Sequence, residues 1–241
     1  MDTEEVQEGA RAAKDHDALE GAARVGYAVN GVLHLLIGWI ALQLAWFGSG
    51  KSADQSGALT SLASNGFGKV ILWIGVVGFL GLAVWQIAEA IGGSRKASDR
   101  VKAVSKAVVY LVLTFSAFTF ASGGSSSSKQ QSSDATATLM SKPFGAALVG
   151  IVGLVVIGVG VYHVVKGWKR LFLQDLKSNP GEGVVTLGRF GYIAKGIALV
   201  VLGGLFGIAA LRNDPKEATG LDGALRTLLE APFGKVLLTV V

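Results

Sequence analysis

The chain has 241 residues, of which 51% are hydrophobic and only 16% charged, with 34 glycines, no cysteine and a net charge of +5. Soluble domains carry roughly 25% charged residues, and a chain without cysteine has no disulfides, thiolate metal sites or thiol nucleophiles. The apolar residues come in blocks of about 18–22, the length of a membrane span, so the basic balance points to cytoplasmic loops and not to nucleic acid.

Residues 1–23 are polar and mostly acidic, with Val6, Ala10 and Ala13 at helical spacing, and read as a solvated cytoplasmic tail. An acidic start followed by a long apolar block does not have the form of a signal peptide. Spans are expected at about 27–47, 70–91, 104–121, 144–165 and 192–211. Trp39 and Trp46 in the outer half of the first span suit an interfacial aromatic belt. Gly75, Gly78 and Gly81 in the second span and Gly150, Gly153, Gly158 and Gly160 in the fourth predict close helix contacts, since small residues let backbones approach in lipid. Ser122–Ser133 reads as a flexible linker by composition, and Asn179-Pro180-Gly181 as a turn. A sixth span starts at Pro232-Phe233 and runs to Val241, roughly 14 Å of helix and less than half of the hydrocarbon core. An incomplete chain is the expectation, with a partner filling the gap as the alternative.

Internal similarity is the strongest signal. Arg24-x-Gly26-Tyr27 followed by Gly31 and Gly38 parallels Arg189-x-Gly191-Tyr192 followed by Gly196 and Gly203. The second copy keeps Arg100 and Ala107, with Ala103 and Thr114 at the Tyr27 and Gly38 positions. Before the even spans, Leu59 and Leu62 precede Gly66-Phe67-Gly68, Leu139 precedes Pro143-Phe144-Gly145, and Leu225 and Leu228 precede Pro232-Phe233-Gly234. Leucines at that spacing share a helical face, which predicts a short amphipathic helix on the membrane surface before each even span. Proline then stands at the helix start. Both anchors recur at offsets of about 76 and 89 residues. Each unit has two spans, so the copies run parallel about an axis along the membrane normal. The expected fold is all-α: a polytopic integral membrane protein of three parallel helical-hairpin repeats in a pseudo-threefold bundle. Its boundaries are a tail at 1–23 and repeats at 24–99, 100–188 and 189–241.

These openings at Arg24 and Arg189, with the Phe-Gly turns at Phe67, Phe144 and Phe233, resemble a family of bacterial membrane proteins called domain of unknown function 1206. The resemblance covers Arg24 to the end and implies three copies of a two-span unit. It implies no activity.

With the amino terminus inside, 14 of the 22 Lys and Arg residues lie on the inner side. They include the only dense clusters, Arg95, Lys96, Arg100, Lys102 and Lys106, and Lys166, Lys169, Arg170 and Lys177. The positive-inside rule therefore predicts a cytoplasmic amino terminus, and the resemblance to bacterial membrane proteins implies the plasma (inner) membrane.

Polar residues at membrane depth are candidates for function. Asn30 and His34 share a face of the first span, Tyr110 corresponds to His34 in the second copy, and Gln86 corresponds to His163 in the even spans. Lys106, Lys195, Glu89 and Lys166 lie beside them, near the cytoplasmic ends. Together they read as a polar constriction or a proton or ligand site, against snorkelling and interhelical hydrogen bonding as the structural alternative. His34 and His163 are the minimum for bis-histidine haem ligation, and His16 reads as surface. Arg24, Arg100 and Arg189 read as topology anchors or contacts to anionic lipid headgroups. No phosphate loop, catalytic carboxylate pair, Ser-His-Asp set or metal-spaced cluster is visible. The expected role is non-enzymatic, an accessory or scaffold subunit of a membrane or envelope complex, with no cofactor or metal. Its partners would be the lipid bilayer and a membrane protein. A small channel or transporter with an axial path is the alternative, and haem or quinone binding is a more distant one.

Overall fold

The computed structural model describes residues 9, 17–48, 50–92, 96–176 and 181–240. The expected tail helix around Val6, Ala10 and Ala13, His16, the Ser94-Arg95 link and the Asn179-Pro180 turn lie outside the described residues. Among the described residues there is no strand. The helices are α1 (Asp17–Phe47), α2 (Gln55–Ala63), α3 (Gly66–Gly92), α4 (Ala97–Ala121), α5 (Ser128–Met140), α6 (Gly145–Trp168), α7 (Glu182–Arg212), α8 (Gly220–Glu230) and α9 (Gly234–Val240), with 3₁₀ turns at Leu171–Asp175 and Pro215–Glu217. Five of them, α1, α3, α4, α6 and α7, are long and apolar enough to cross a membrane, the pattern of a multi-pass membrane protein.

The long helices overrun the expected spans mainly at one end. Helix α1 starts at Asp17, ten residues before Tyr27, and α7 starts at Glu182, ten before Tyr192. Their 31 residues make about 47 Å of helix, well beyond a hydrocarbon core of about 30 Å. Apolarity marks only the part of a helix in lipid. Its water-exposed extension is held by local chemistry, such as acidic Asp17 and Glu20 in the first turn of α1, which suit the positive end of the helix dipole.

A short helix forms before each Phe-Gly turn, as expected: α2 and α8 carry the leucine pairs Leu59/Leu62 and Leu225/Leu228, and α5 carries Leu139. Asp54 caps α2, its Oδ1 accepting from Gly57 N at 3.0 Å. Ser127 caps α5, its Oγ accepting from Gln130 N at 3.3 Å. Helix α5 corrects the linker expected over Ser122–Ser133: only 122–127, between α4 and α5, is non-helical. Serine content was misleading here. A serine at the cap position starts a helix, Gln130 donates to Asp134 at 2.7 Å one turn on, and Thr136 is buried.

The Phe-Gly turns also take a form that differs from expectation. Phe144 and Phe233 adopt left-handed backbone, φ 60° and 61°, directly before the first residues of α6 and α9. Pro143 and Pro232 therefore sit one residue before the cap and not inside the helix. In the first copy Asn65 replaces this device, its Oδ1 accepting from Gly68 N at 2.8 Å. The glycine after each phenylalanine is needed for a close approach: a Cβ on Gly68, Gly145 or Gly234 would overlap the carbonyl of Leu62, Leu139 or Leu229. The three phenylalanine rings are all exposed, as interfacial anchors are.

The chain divides into two units, Met1–Leu36 with Ala58–Ser126, and Ile37–Gly57 with Ser127–Val241. In the first, α1 lies on α3 through the predicted glycine stripe. A Cβ on Gly78 would stand 2.6 Å from Gly26 N, one on Gly81 2.6 Å from Ala22 Cβ, and one on Gly75 3.0 Å from a Val29 methyl. Helix α4 packs on α3, with Trp73 edge-on to Phe118. Its inward residues Ala103, Ala107, Ala117 and Ala121 are buried, and Tyr110 and Thr114 half-buried. This four-three alternation is the seam of a left-handed helix crossing.

In the second unit, α6 and α7 run antiparallel with two backbone contacts seven residues apart. A Cβ on Gly153 would meet Gly203 O at 2.8 Å, and one on Gly203 would meet Gly153 O at 2.6 Å. Gly160 and Gly196 repeat this at 2.7 and 2.6 Å. Of the other two glycines predicted to pack in α6, Gly158 faces open space and Gly150 has one ordinary contact to Ala210. Seven-residue spacing keeps Gly153 and Gly160 on one face, while Gly158 points elsewhere. A separate apolar cluster joins Ile40, Ala41, Leu44 and Ala45 of α1 to Ala198, Leu225, Leu228 and Leu238.

One buried polar knot pins α8 to the loop after α1. The Asp222 carboxylate accepts from Ala53 N at 2.7 Å and from Arg226 Nε at 2.8 Å, and Arg226 also reaches Lys51 O. The carboxylate is buried while the guanidinium stays partly exposed, so its charge is compensated without loss of hydration on the arginine.

Gly160→Leu is expected to lower the melting temperature in mild detergent by the equivalent of about 1–3 kcal/mol or more, because an added side chain meets a carbonyl that has nowhere to go. Gly158→Leu, on the same helix, should stay within about 0.5 kcal/mol of the parent. Asp222→Ala, which strands a buried N–H and frees Arg226, should cost about 1–3 kcal/mol in the same melts. Asp222→Asn should cost less, because the amide oxygen still accepts from Ala53.

Candidate functional site

The polar residues singled out in the spans fall into both units. In the first, Asn30 is half-buried and His34 exposed, one turn apart on α1, and His34 Nδ1 is 2.8 Å from Asn30 O. The imidazole thus spends one nitrogen on its own helix and holds Nε2 for other contacts. Tyr110 of α4 meets Tyr27 of α1 edge-on, ring centroids 6.4 Å apart at 89°. Thr114 donates to Tyr110 O at 2.8 Å. Gln86 is buried in α3, and Glu89 one turn on is half-buried. Lys106 is exposed.

In the second unit, His163 makes the same local bond, Nδ1 at 2.8 Å from Val159 O. Its ring is stacked near Tyr192 of α7, centroids 5.9 Å apart at 24°, and edge-on to Tyr162. Phe172, from the 3₁₀ turn after α6, stacks on Tyr192 at 5.1 Å and 16°. Lys166 Nζ stands 5.3 Å from the Tyr192 centroid and 5.9 Å from that of Tyr162, a geometry that holds a cation over aromatic faces. Arg189 lies over Trp168 at 5.1 Å. Lys195 is exposed.

The chain is shaped locally to admit this stack. Helix α6 stops where Arg170 turns left-handed, φ 56°, which sends Phe172 back against α7. Gly188 leaves the space for its ring, because a Cβ there would stand 2.7 Å from the Phe172 ring edge. Gly167 does the same for Tyr192 and the Arg189 carbonyl. Sequence reading found His163 and Lys166 but not Phe172 or Tyr192 as their neighbours.

Of the three arginines, Arg24 is exposed and pairs with Glu20 one turn away at 2.6 Å, Arg100 is exposed, and Arg189 is half-buried on Trp168. Among the described residues there is no group of three or more His, Asp or Glu placed to hold a metal ion. Both described histidine rings, His34 and His163, are bonded to the turn before them, which is what an apolar helix offers a lone polar side chain.

A family model described as Domain of Unknown Function (DUF1206) matches the chain in three segments, residues 25–93, 101–170 and 190–241. The chain is also similar to a Bacillus subtilis (strain 168) protein called Uncharacterized protein YxxB, with 31% identity over 231 residues, 90% of this chain and 82% of that protein. No solved structure matches. Three matched segments that take in most of the chain, and a relative aligned along nearly all of it, place this protein in the family of Domain of Unknown Function (DUF1206).

Proposed function

We propose that this chain is a non-enzymatic integral membrane protein that serves as an accessory or scaffold subunit of a membrane or envelope complex. The observation that supports this reading is the backbone-to-backbone contact between long helices, Gly26 on Gly78 in one unit and Gly153 on Gly203 and Gly160 on Gly196 in the other. Helices joined in this way leave no path between them and resist relative sliding, because packed small residues tolerate neither gaps nor insertions. Their outer faces are apolar, with Leu35, Phe115, Leu154 and Leu211 largely exposed, and so are available to lipid or to another apolar helix.

The repeats are those of the sequence: 24–99, 100–188 and 189–241, three parallel two-span units about a pseudo-threefold axis. Equivalent positions behave alike. Leu72, Val149 and Leu238, each five residues after its phenylalanine, are all 1% exposed, and Ala58 and Ala224 are both fully buried. The amino terminus is cytoplasmic in the plasma membrane, with the turn at 122–127 outside. On the inner side, Arg24, Arg100 and Arg189 contact anionic lipid headgroups, Arg189 braced by Trp168 at the depth where aromatic rings favour the interface.

Orientation is testable because the chain lacks cysteine. Ser126→Cys in intact cells should react with a membrane-impermeant maleimide, and Lys169→Cys only after permeabilisation; the reverse pattern would invert the topology. The scaffold reading is tested by native mass spectrometry of the protein released in mild detergent. A stoichiometric membrane-protein partner is expected. The chain alone, together with a hydrated axial cavity in an experimental structure, would replace scaffold with channel.

A further inference from the structure

The Phe-Gly turns give the three short helices a common register. Eight residues before each phenylalanine stand Leu59, Thr136 and Leu225, and all three are buried, at 1%, 4% and 3% exposure. Two of the short helices fill this place with leucine. Helix α5 puts there a shorter side chain that carries a hydroxyl.

A cleft of about 220 Å³ lies at that place. Ser132, Thr136 and Leu139 of α5 line one wall, and Val149 and Val152 of α6 with Phe206 of α7 line the other. An apolar cavity of about 150 Å³ already takes a benzene-sized molecule. Val149 and Val152 belong to the first turns of α6 and Phe206 to the last turns of α7, so the cleft lies where the long helices meet α5. Val152 is 41% exposed, which opens the cleft onto the outer face of α6.

The Thr136 hydroxyl is unlike its neighbours. Thr138, two residues on, returns its hydroxyl to Asp134 O at 2.8 Å, and Thr227 of α8 does the same to Gly223 O at 2.9 Å. This back-bond is what a helix ordinarily offers threonine. Thr136 makes no hydrogen bond to any of the described residues, and a buried hydroxyl left without a partner is costly. Water suits the site poorly, because the wall facing Thr136 is apolar and a buried water needs several polar partners. No charged side chain lines the cleft, so it does not suit a carboxylate. What fits is an apolar chain with one uncharged acceptor oxygen.

We propose that the cleft holds one acyl chain of a glycerophospholipid, with Thr136 Oγ1 donating to the ester carbonyl and the chain passing Val149 and Phe206 to leave over Val152. A helix lying on a membrane surface sits at the boundary of headgroups and acyl chains, the depth at which ester carbonyls are found. The site is separate from the arginine contacts proposed above.

The test titrates dioleoyl phosphatidylglycerol into the detergent-solubilised full chain, followed by native mass spectrometry, beside the diether analogue with the same headgroup and chains but no carbonyl. The parent should bind the ester more tightly than the ether by roughly two- to tenfold, the worth of one hydrogen bond. Thr136→Val, which keeps the shape and removes the hydroxyl, should bind the two alike. Thr136→Leu should also abolish the preference, and by filling the cleft it should melt higher than the parent without added lipid. A diazirine on the acyl chain should label Val149, Val152 or Phe206 in the parent and none of them in Thr136→Leu. Equal binding of ester and ether by the parent, an unchanged preference in Thr136→Val, or labelling elsewhere only would overturn the proposal. So would complete displacement of the phospholipid by an equal concentration of oleate, which would make the ligand a free fatty acid. If Thr136→Leu does not fold, the comparison of Thr136→Val with the parent decides alone. Both probes carry the same headgroup, so loss of the arginine contacts would weaken both equally and leave their ratio as it is.

Discussion

The structure depends on helices that touch through their backbones. In lipid, burying a leucine gains little, because lipid tails are as apolar as the partner helix. What holds two apolar helices is the density of contact when side chains are absent from the seam. Gly153 and Gly203, and two turns along Gly160 and Gly196, bring carbonyls of one helix to the Cα of the other. Such contacts suit weak Cα–H···O bonding and fix the register of the pair. In the first unit Gly78 meets Gly26, flanked by Gly81 on Ala22 and Gly75 on Val29.

Among the described residues, the glycine contacts themselves are apolar, and the larger polar clusters are arranged around them. Hydroxyl and imidazole groups in the spans turn back on their own helices: Thr114 to Tyr110 O, His34 to Asn30 O, His163 to Val159 O. The larger polar clusters sit at the two ends of the spans. One end has the Asp222 knot with Ala53 and Arg226. The other has the stack of Phe172, Tyr192 and His163 with Lys166 beside it. This distribution is what an apolar solvent imposes, since a polar group without a partner is costly in hydrocarbon. Chain direction is likewise set at the ends, by left-handed Phe144, Arg170, Asn213 and Phe233.

Much of this was legible in the sequence, though unevenly. The five long helices follow from apolar block length. Two of the short helices, α2 and α8, follow from the leucine pairs, and the Gly75, Gly78 and Gly81 stripe from its spacing. The helical extensions at Asp17 and Glu182 and the helix in the serine-rich stretch were not, because caps and i,i+4 bonds there carry little hydropathy signal. The candidate residues were partly legible: His163 and Lys166 stood out as polar residues in an apolar span, but Phe172, which completes their stack, reads as an ordinary apolar residue.

The sequence by itself determined the long apolar helices, the leucine-paired short helices α2 and α8 and the recurrence of the Arg-Gly-Tyr and Phe-Gly anchors, because each is a local pattern set by solvent and helical period. Only the tertiary structure decided which glycines are contacts. Gly153, Gly160, Gly196 and Gly203 are pressed on backbone, while Gly31, Gly38 and Gly158 are not. Glycine permits close approach without causing it, and the second helix must arrive from elsewhere in the chain.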